Sequence, residues 1–344
     1  MDKVIAIHNS KGGYHQYWVS YCQEKNIPFK LVNCYSTDII EQLKGCSALM
    51  WHHNHAKAED IILAKRLLFA LGHLGFIVYP DFKSNWHFDD KVGQKYLLEQ
   101  AQLPLVPVSL FVSEKEALVW AETATFPKVF KLSGGAGSLN VKLVKTRSQA
   151  IAIIKKAFGK GFSRYYAWSR LKDRVKLFSA GKATFKDVLK GVVRLVIKPK
   201  YASVLGRERG YVYFQDFVPN LDRDYRTKVI GDKCWGYQRL VREGDFRASG
   251  SGSDSYIYTD DAIPDEIIKL SFQITEQLSL NSVAYDFVID SQGKIYIIEL
   301  SCFFGFNDKQ HHGYWDRDLV WHKTRFNPFG WMVDNVLEQV KLTT

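Results

Sequence analysis

The sequence predicts an α/β and α+β protein, with a parallel α/β unit first and a body of helices and antiparallel hairpins after it. Short apolar runs alternate with amphipathic stretches up to residue 79, the rhythm of strand–helix–strand units. Farther on, two pairs of apolar runs flank tight glycine-containing connections, Gly231-Asp232 and Ser291-Gln292-Gly293, as hairpins do. With 344 residues, 46% apolar and 24% charged, the chain can bury a sizeable core and should divide into two or three domains.

The N-terminal elements read as strand Val4–His8, helix Tyr14–Glu24, strand Phe29–Val32, helix Thr37–Leu43 and strand Ala48–Trp51. A helix at Asp60–Leu74 and a strand at Phe76–Tyr79 complete the unit, and Pro80 punctuates the chain, so the first domain is expected over residues 1–85. The next unit, residues 86–218, opens with a helix at Lys91–Gln102. Strands Ser109–Val112 and Lys128–Leu132 then flank a helix at Glu114–Ala121. Between about 159 and 208 periodicity fades and basic residues accumulate, which marks an insertion before the β-rich run Tyr211–Val218. The last unit, residues 219–344, has a hairpin of Tyr225–Ile230 and Cys234–Val241, a helix at Asp265–Leu278, and a hairpin of Val283–Ile289 and Lys294–Leu300. An aromatic tail follows, expected to pack as a cap over the sheet in preference to forming a stacking wall for a ligand.

Forty-seven Lys and Arg against 36 Asp and Glu leave a net charge of +11. That excess is local: residues 151–211 hold 16 basic and 3 acidic side chains, and the rest of the chain is close to neutral. Nucleic acid is disfavoured as a partner because the basic stretch has no recognised binding motif. Two readings of it stay open, a solvated surface element and an electrostatic collar drawing in an anionic acceptor. The five cysteines are scattered with no CxxC pair, which points to a reducing, cytoplasmic compartment. The most apolar stretch, Ile61–Tyr79, is broken by charges and glycines, and the first residues have no apolar core, so neither a membrane span nor a cleaved leader is expected.

Four elements in fixed order carry the chemistry. A strand ending in Lys131 runs into Ser133-Gly134-Gly135-Ala136-Gly137-Ser138, where backbone N–H groups and a nearby cation suit phosphates. Alone, such a glycine-rich turn is usually structural. Gln215-Asp216-Phe217-Val218 is an extended run able to offer backbone donors and acceptors to a planar base, with Asp222 and Asp224 after it as acids for ribose hydroxyls. Arg226, Arg239 and Arg247, the last in Asp245-Phe246-Arg247-Ala248-Ser249-Gly250-Ser251-Gly252, suit bidentate contacts with phosphate or carboxylate. Asp286 and Glu299 stand thirteen residues apart on paired strands, each in an apolar run. Two facing carboxylates repel unless a cation lies between them, either an arginine or a hard metal such as Mg²⁺.

In this order the elements resemble the ATP-grasp superfamily, closest in pattern to the ribosomal-protein glutamate ligase, glutathione synthetase and D-alanine:D-alanine ligase group, over residues 86–305. The resemblance implies an ATP-grasp fold, with the basic insertion in the lid subdomain, and ATP and Mg²⁺ as cofactors. It implies that Lys91 and Lys131 touch phosphates and that Ser133, Gly134, Gly135, Gly137 and Ser138 form the phosphate loop. Gln215, Asp216, Phe217 and Val218 correspond to the adenine hinge and Asp224 to the ribose acid, with Asp222 competing. Arg239 and Arg247 correspond to arginines facing the transferred phosphoryl group, and Asp286, Glu299 and Ser301 to the metal ligands. Ser301 departs from the family's asparagine, and serine is the weaker oxygen ligand, which puts a second Mg²⁺ in doubt.

The activity implied is ATP-dependent carboxylate–amine ligation through an acyl phosphate, on a small acid, amino acid or acidic sugar or glycan. The alternatives are an ATP-grasp kinase acting on a hydroxyl and a non-catalytic nucleotide-binding module. The run at 245–252 also resembles ATP-grasp proteins of bacterial surface-polysaccharide biosynthesis. Loops after the first and third strands, with Lys11, Gly12 and Gly13 and with His52 and His53, lie where parallel sheets bind ligands and are candidates for the second substrate, together with Arg226, Ser249 and Gly250. Adjacent His52 and His53 point oppositely on an extended chain, which disfavours zinc. A homodimer is left open.

Overall fold

The computed structural model describes residues 3–10, 12–134, 141–165, 171, 174, 175, 178, 179, 184–196, 199–241, 246, 256–260, 262–306 and 312–342. The first sheet comprises β1 (Val4–His8), β2 (Phe29–Val32), β3 (Cys46–Met50) and β4 (Ile77–Tyr79), all parallel in the order β2-β1-β3-β4. Ile5, Ala6, Ile7, Leu49 and Met50 are wholly buried, because a parallel sheet needs both faces covered. Helices α1 (His15–Glu24), α2 (Ile39–Gln42) and α3 (Ala58–His73) supply part of that cover, through Trp18 and Cys22 on one side and Ala64 and Leu68 on the other. The expected order of elements in this unit is observed, with helix and strand ends shifted by one or more residues.

Two capped helices lead to the second sheet. Asp81 caps α4 (Phe82–Asn85) by accepting from Ser84 N–H, and Asp90 caps α5 (Lys91–Gln100) by accepting from Gly93 N–H at 3.0 Å. The sheet contains β5 (Val108–Phe111), β6 (Lys128–Lys131) and β7 (Lys142–Val144), covered by α6 (Glu114–Thr123) and α7 (Arg147–Phe158). Helix α7, not expected from the sequence, is capped by Thr146 and anchored by Ile154.

The insertion is ordered differently from the aperiodic stretch expected. After β8 (Phe162–Ser163) come α8 (Phe185–Val196) and α9 (Lys200–Leu205), then β9 (Arg207–Glu208), which pairs with β8. Helix α9 rests on α3, with Ala202 buried and Lys200 Nζ 2.5 Å from Glu59 Oε1. The next strand, β10 (Val212–Asp216), completes the second sheet in the antiparallel order β5-β10-β6-β7.

The third sheet has β11 (Arg223–Ile230), β12 (Lys233–Leu240) and β13 (Tyr256–Ile257), then helix α10 (Asp265–Gln277) and β14 (Ser282–Ile289), β15 (Ile295–Ser301), β16 (Tyr314–Trp315) and β17 (Trp321–His322). Its order is β15-β14-β11-β12-β16-β17, with β13 beside β12. The β11–β12 hairpin turns at Gly231-Asp232, where Gly231 sits at φ +59°, a conformation glycine adopts without a Cβ clash. One face of this sheet packs on Ile267, Ile268 and Phe272 of α10. Period-two alternation sends Asp224, Arg226 and Lys228 to the other face. The final helix, α11 (Pro328–Leu342), crosses back to pack on α1, β3 and β4, so the aromatic tail caps the core, with Trp331 stacked on Phe326 beside Trp235. Among the described residues no helix is long and apolar enough to cross a membrane.

Candidate active site

The three sheets meet around a cleft of about 660 Å³. Its floor is built by register. Asp286 on β14 stands opposite Glu299 on β15 and opposite Arg226 on β11, while Arg239 on β12 stands opposite Asp224. A bulge after the Asp286–Glu299 pair puts Ile298 out of step, and both Ile298 and Glu299 line the cleft as a result.

Cations balance these acids. Arg239 donates through Nε to both oxygens of Asp224 at 3.0 Å, and its Nη2 forms an ion pair with Asp286 Oδ1 at 2.8 Å, while Arg226 Nη1 lies 3.6 Å from the same oxygen. Lys91, at the start of α5, places Nζ 3.0 Å from Glu299 Oε1. Burial opposes the Lys91 charge, yet Glu299 and Asp89 outweigh it and hold the ammonium above its ordinary value. Lys131, at the end of β6, has no carboxylate that close among the described residues and donates to Gln215 Oε1 at 2.5 Å. Burial, with repulsion from Lys91, pushes it down to about 8 against the pull of Glu299 and Asp286.

Next to Lys131, the backbone N–H groups of Ser133 and Gly134 donate to Glu208 at 3.2 and 3.4 Å, and Tyr211 and Arg164 also hold that carboxylate. Ser133 Oγ donates to Asp90 Oδ1 at 2.6 Å, which ties the loop to the α5 cap. Gln215, Asp216, Phe217 and Val218, expected as a hinge, line the cleft, but the Asp216 N–H is committed to Pro107 O at 2.9 Å and its carboxylate to Lys128 at 2.6 Å. Neither of those Asp216 groups is left to read a base.

No family model matches the sequence, and no curated protein matches it. Solved structures do. An ATP-grasp protein with a RimK domain from Sphaerobacter thermophilus matches with a TM-score of 0.57 and 16% identity over 97% of this chain and 99% of that one. The ATP-grasp ligase PsnB, solved with a minimal precursor, Mg and ADP, gives 0.52 and 12% over 98% of both chains. The biotin carboxylase domain of the Hydrogenobacter thermophilus 2-oxoglutarate carboxylase, solved with MgADP, ADP and bicarbonate, gives 0.59 and 13% over 97% of this chain and 69% of that one. This chain has the ATP-grasp fold.

On the ATP-grasp framework, Lys91, Lys131, Gln215 to Val218, Arg226, Arg239, Asp286, Glu299, Ser301, His52 and His53 share the one cleft. Ser133 and Gly134 are absent from its lining, which includes Lys131 and Leu132 just before them. Asp224 needs correction: it is fully buried, is absent from the cleft lining and gives both oxygens to Arg239, so it orients an arginine and does not face a ribose. Burial raises its carboxyl above the ordinary range, with Arg239 pulling the other way. The competing Asp222 is exposed and paired with Arg223. Lys11, Gly135, Gly137, Ser138, Arg247, Ser249 and Gly250 lie outside the described residues.

The far end of the cleft is aromatic. The His52 ring stacks on Tyr14 at 3.9 Å, and its Nδ1 accepts from Tyr14 N–H. His53 Nε2 donates to Asn85 Oδ1 at 2.8 Å, and its ring meets Phe88 and Phe303 edge-on. Burial lowers these imidazoles to about 4 and about 3, so both are neutral near pH 7, each with its tautomer fixed by its partner. Gly12 and Gly13 do not line the cleft. Gly13 supports His52 from behind, since a Cβ there would lie 2.2 Å from His52 Nδ1. Tyr14, Phe88, Phe303 and Phe304 escaped the sequence reading because they read as ordinary core aromatics. Cys302, beside them, is buried, and that burial pushes its thiol up.

Proposed function

We propose that the protein is an ATP-dependent carboxylate–amine ligase working through an acyl phosphate. The observation that carries this is the facing pair Asp286 and Glu299 on the floor of a cleft that also gathers two buried lysines and two arginines. In this reading the stretch from Gln215 to Val218 holds the adenine through groups other than the Asp216 N–H and carboxylate, and Lys91, Lys131 and the Ser133 loop hold the phosphates. The donor set suits Mg²⁺: two carboxylates in register and the Ser301 hydroxyl are hard oxygen ligands, though Ser301 Oγ already bonds Phe303 O at 2.7 Å and is the weakest of the three. When bound, Mg²⁺ would neutralise charge on the phosphate oxygens.

The side chains of the chain itself do the rest. Lys131 and Lys91 offset negative charge as the phosphoryl group leaves ADP, and Arg226 and Arg239, held in place by Asp286 and Asp224, orient the carboxylate that receives it. An amine then attacks the acyl carbon and phosphate departs. The wall of Tyr14, Phe88, Phe303 and Phe304 keeps water from the acyl phosphate, which would otherwise hydrolyse. The acid is a small acid, an amino acid or an acidic sugar of the kind found in surface polysaccharides.

The test uses purified protein, MgATP, pooled amino acids and uronic acids, and hydroxylamine. A hydroxamate formed together with ADP supports the ligase. A stable phosphorylated alcohol would replace it with a kinase, and ATP binding without ADP formation would replace it with a nucleotide-binding module.

A further inference from the structure

We infer that the basic insertion is a peripheral membrane-binding element, in which α8 lays its apolar face on an anionic lipid surface. Along α8, Phe185, Val188, Leu189, Val192 and Val193 fall at the i, i+3, i+4, i+7, i+8 spacing of one helix face, and Lys186 and Lys190 fall on the other. In a packed helix that face would be covered. Here Phe185, Leu189, Val192 and Val193, with neighbouring Val175 and Phe178, are 43% to 61% exposed. The Phe178 and Phe185 rings lie 6.2 Å apart, which makes the residues one patch. Exposed apolar side chains gathered this way mark an interaction surface, whereas single ones do not.

The crossing at Gly191 accounts for the orientation. Gly191 is buried, and a Cβ there would lie 2.8 Å from Leu171 Cδ1, so α8 meets its neighbour through this small residue and turns its bulky side chains outward. At the base, the contact of α9 with α3 ties the element to the N-terminal unit.

Charge selects the partner. The segment 151–211 carries 16 basic and 3 acidic residues, and beside the apolar row Lys190 is largely exposed, in a loose 3.7 Å pairing with Asp187. A second copy would bring two such segments together and repel, while an anionic bilayer satisfies the apolar row and the lysines at once. At twelve residues, roughly 18 Å, α8 is too short to span a membrane and suits the interface.

The test is flotation of the full chain with vesicles of phosphatidylglycerol and phosphatidylcholine, or of phosphatidylcholine alone. Binding is expected only with the anionic vesicles, and high salt should weaken it. Leu189→Glu with Val193→Glu, and separately Lys186→Glu with Lys190→Glu, should each reduce partitioning at least about tenfold while leaving the melting temperature unchanged. Three results would overturn the inference: no flotation with either vesicle, apolar variants that float like wild type, which would indicate a soluble polyanion as partner, or a dimer that the Leu189 and Val193 changes convert to monomer.

Discussion

Lys131 gives the sharpest consequence of the site. Burial and Lys91 hold its ammonium at about 8, while Glu299 and Asp286 pull the other way. A group with that value is roughly 90% protonated at pH 7 and roughly 10% at pH 9, so kcat/KM for ATP should fall about ninefold between the two. In the ternary complex the phosphates stabilise the ammonium, so kcat should fall less over the same range. Stability moves the other way: from about 8 up to the ordinary lysine value of 10.5 the unfolded chain binds the extra proton, so raising the pH through this window stabilises the fold. Deprotonation of Lys131 therefore lowers activity without itself costing stability. The assay is ADP release against ATP concentration from pH 6 to pH 10, with melting curves in the same buffers. Lys131→Arg keeps its charge and should flatten the profile. A flat wild-type profile, or a descending limb that persists in Lys131→Arg, would refute the assignment.

Three further outcomes follow from the geometry. Glu299→Gln removes one of the two facing carboxylates and the partner of Lys91, and should lower kcat at least about a hundredfold while the protein still folds, as steady-state kinetics and circular dichroism would record. Gly13→Ala sets a Cβ 2.2 Å from His52 Nδ1 at φ +90°, so about 1–3 kcal/mol of stability should be lost along with acceptor affinity, read from thermal melts and the acceptor KM. Glu208→Gln removes a negative charge from the Ser133 and Gly134 N–H donors, and the KM for ATP should drop roughly two- to tenfold; a rise would show that the carboxylate supports the loop and does not compete for it.

Features fixed by local chemistry were legible in the sequence. The Gly231-Asp232 turn, the β14–β15 pair and the Asp286–Glu299 facing could be read because hairpin register follows from a short connection. The role of Asp224 could not, because it depends on β11 pairing with β12 and on Arg239 reaching Asp286 across the sheet. Likewise the aromatic wall joins Tyr14 to Phe303 and Phe304, residues nearly the whole chain apart, through a hydrogen bond from Phe304 N–H to the Tyr14 hydroxyl. In the insertion, the apolar row Phe185, Val188, Leu189, Val192 and Val193 is present in the sequence but is obscured by the basic residues around it, and Pro199 separates it from the next helix. The basic excess there was legible, but its joining to an apolar row was not.

A magnesium-dependent ATP site built on Asp286 and Glu299 must bind nucleotide more tightly when the metal is present. Calorimetric titration of the full chain with a non-hydrolysable ATP analogue, with and without Mg²⁺, tests it most directly. One site per chain is expected, strengthened by Mg²⁺ in the wild type and unaffected by Mg²⁺ in Glu299→Gln. No binding, or binding indifferent to Mg²⁺ in the wild type, would contradict it.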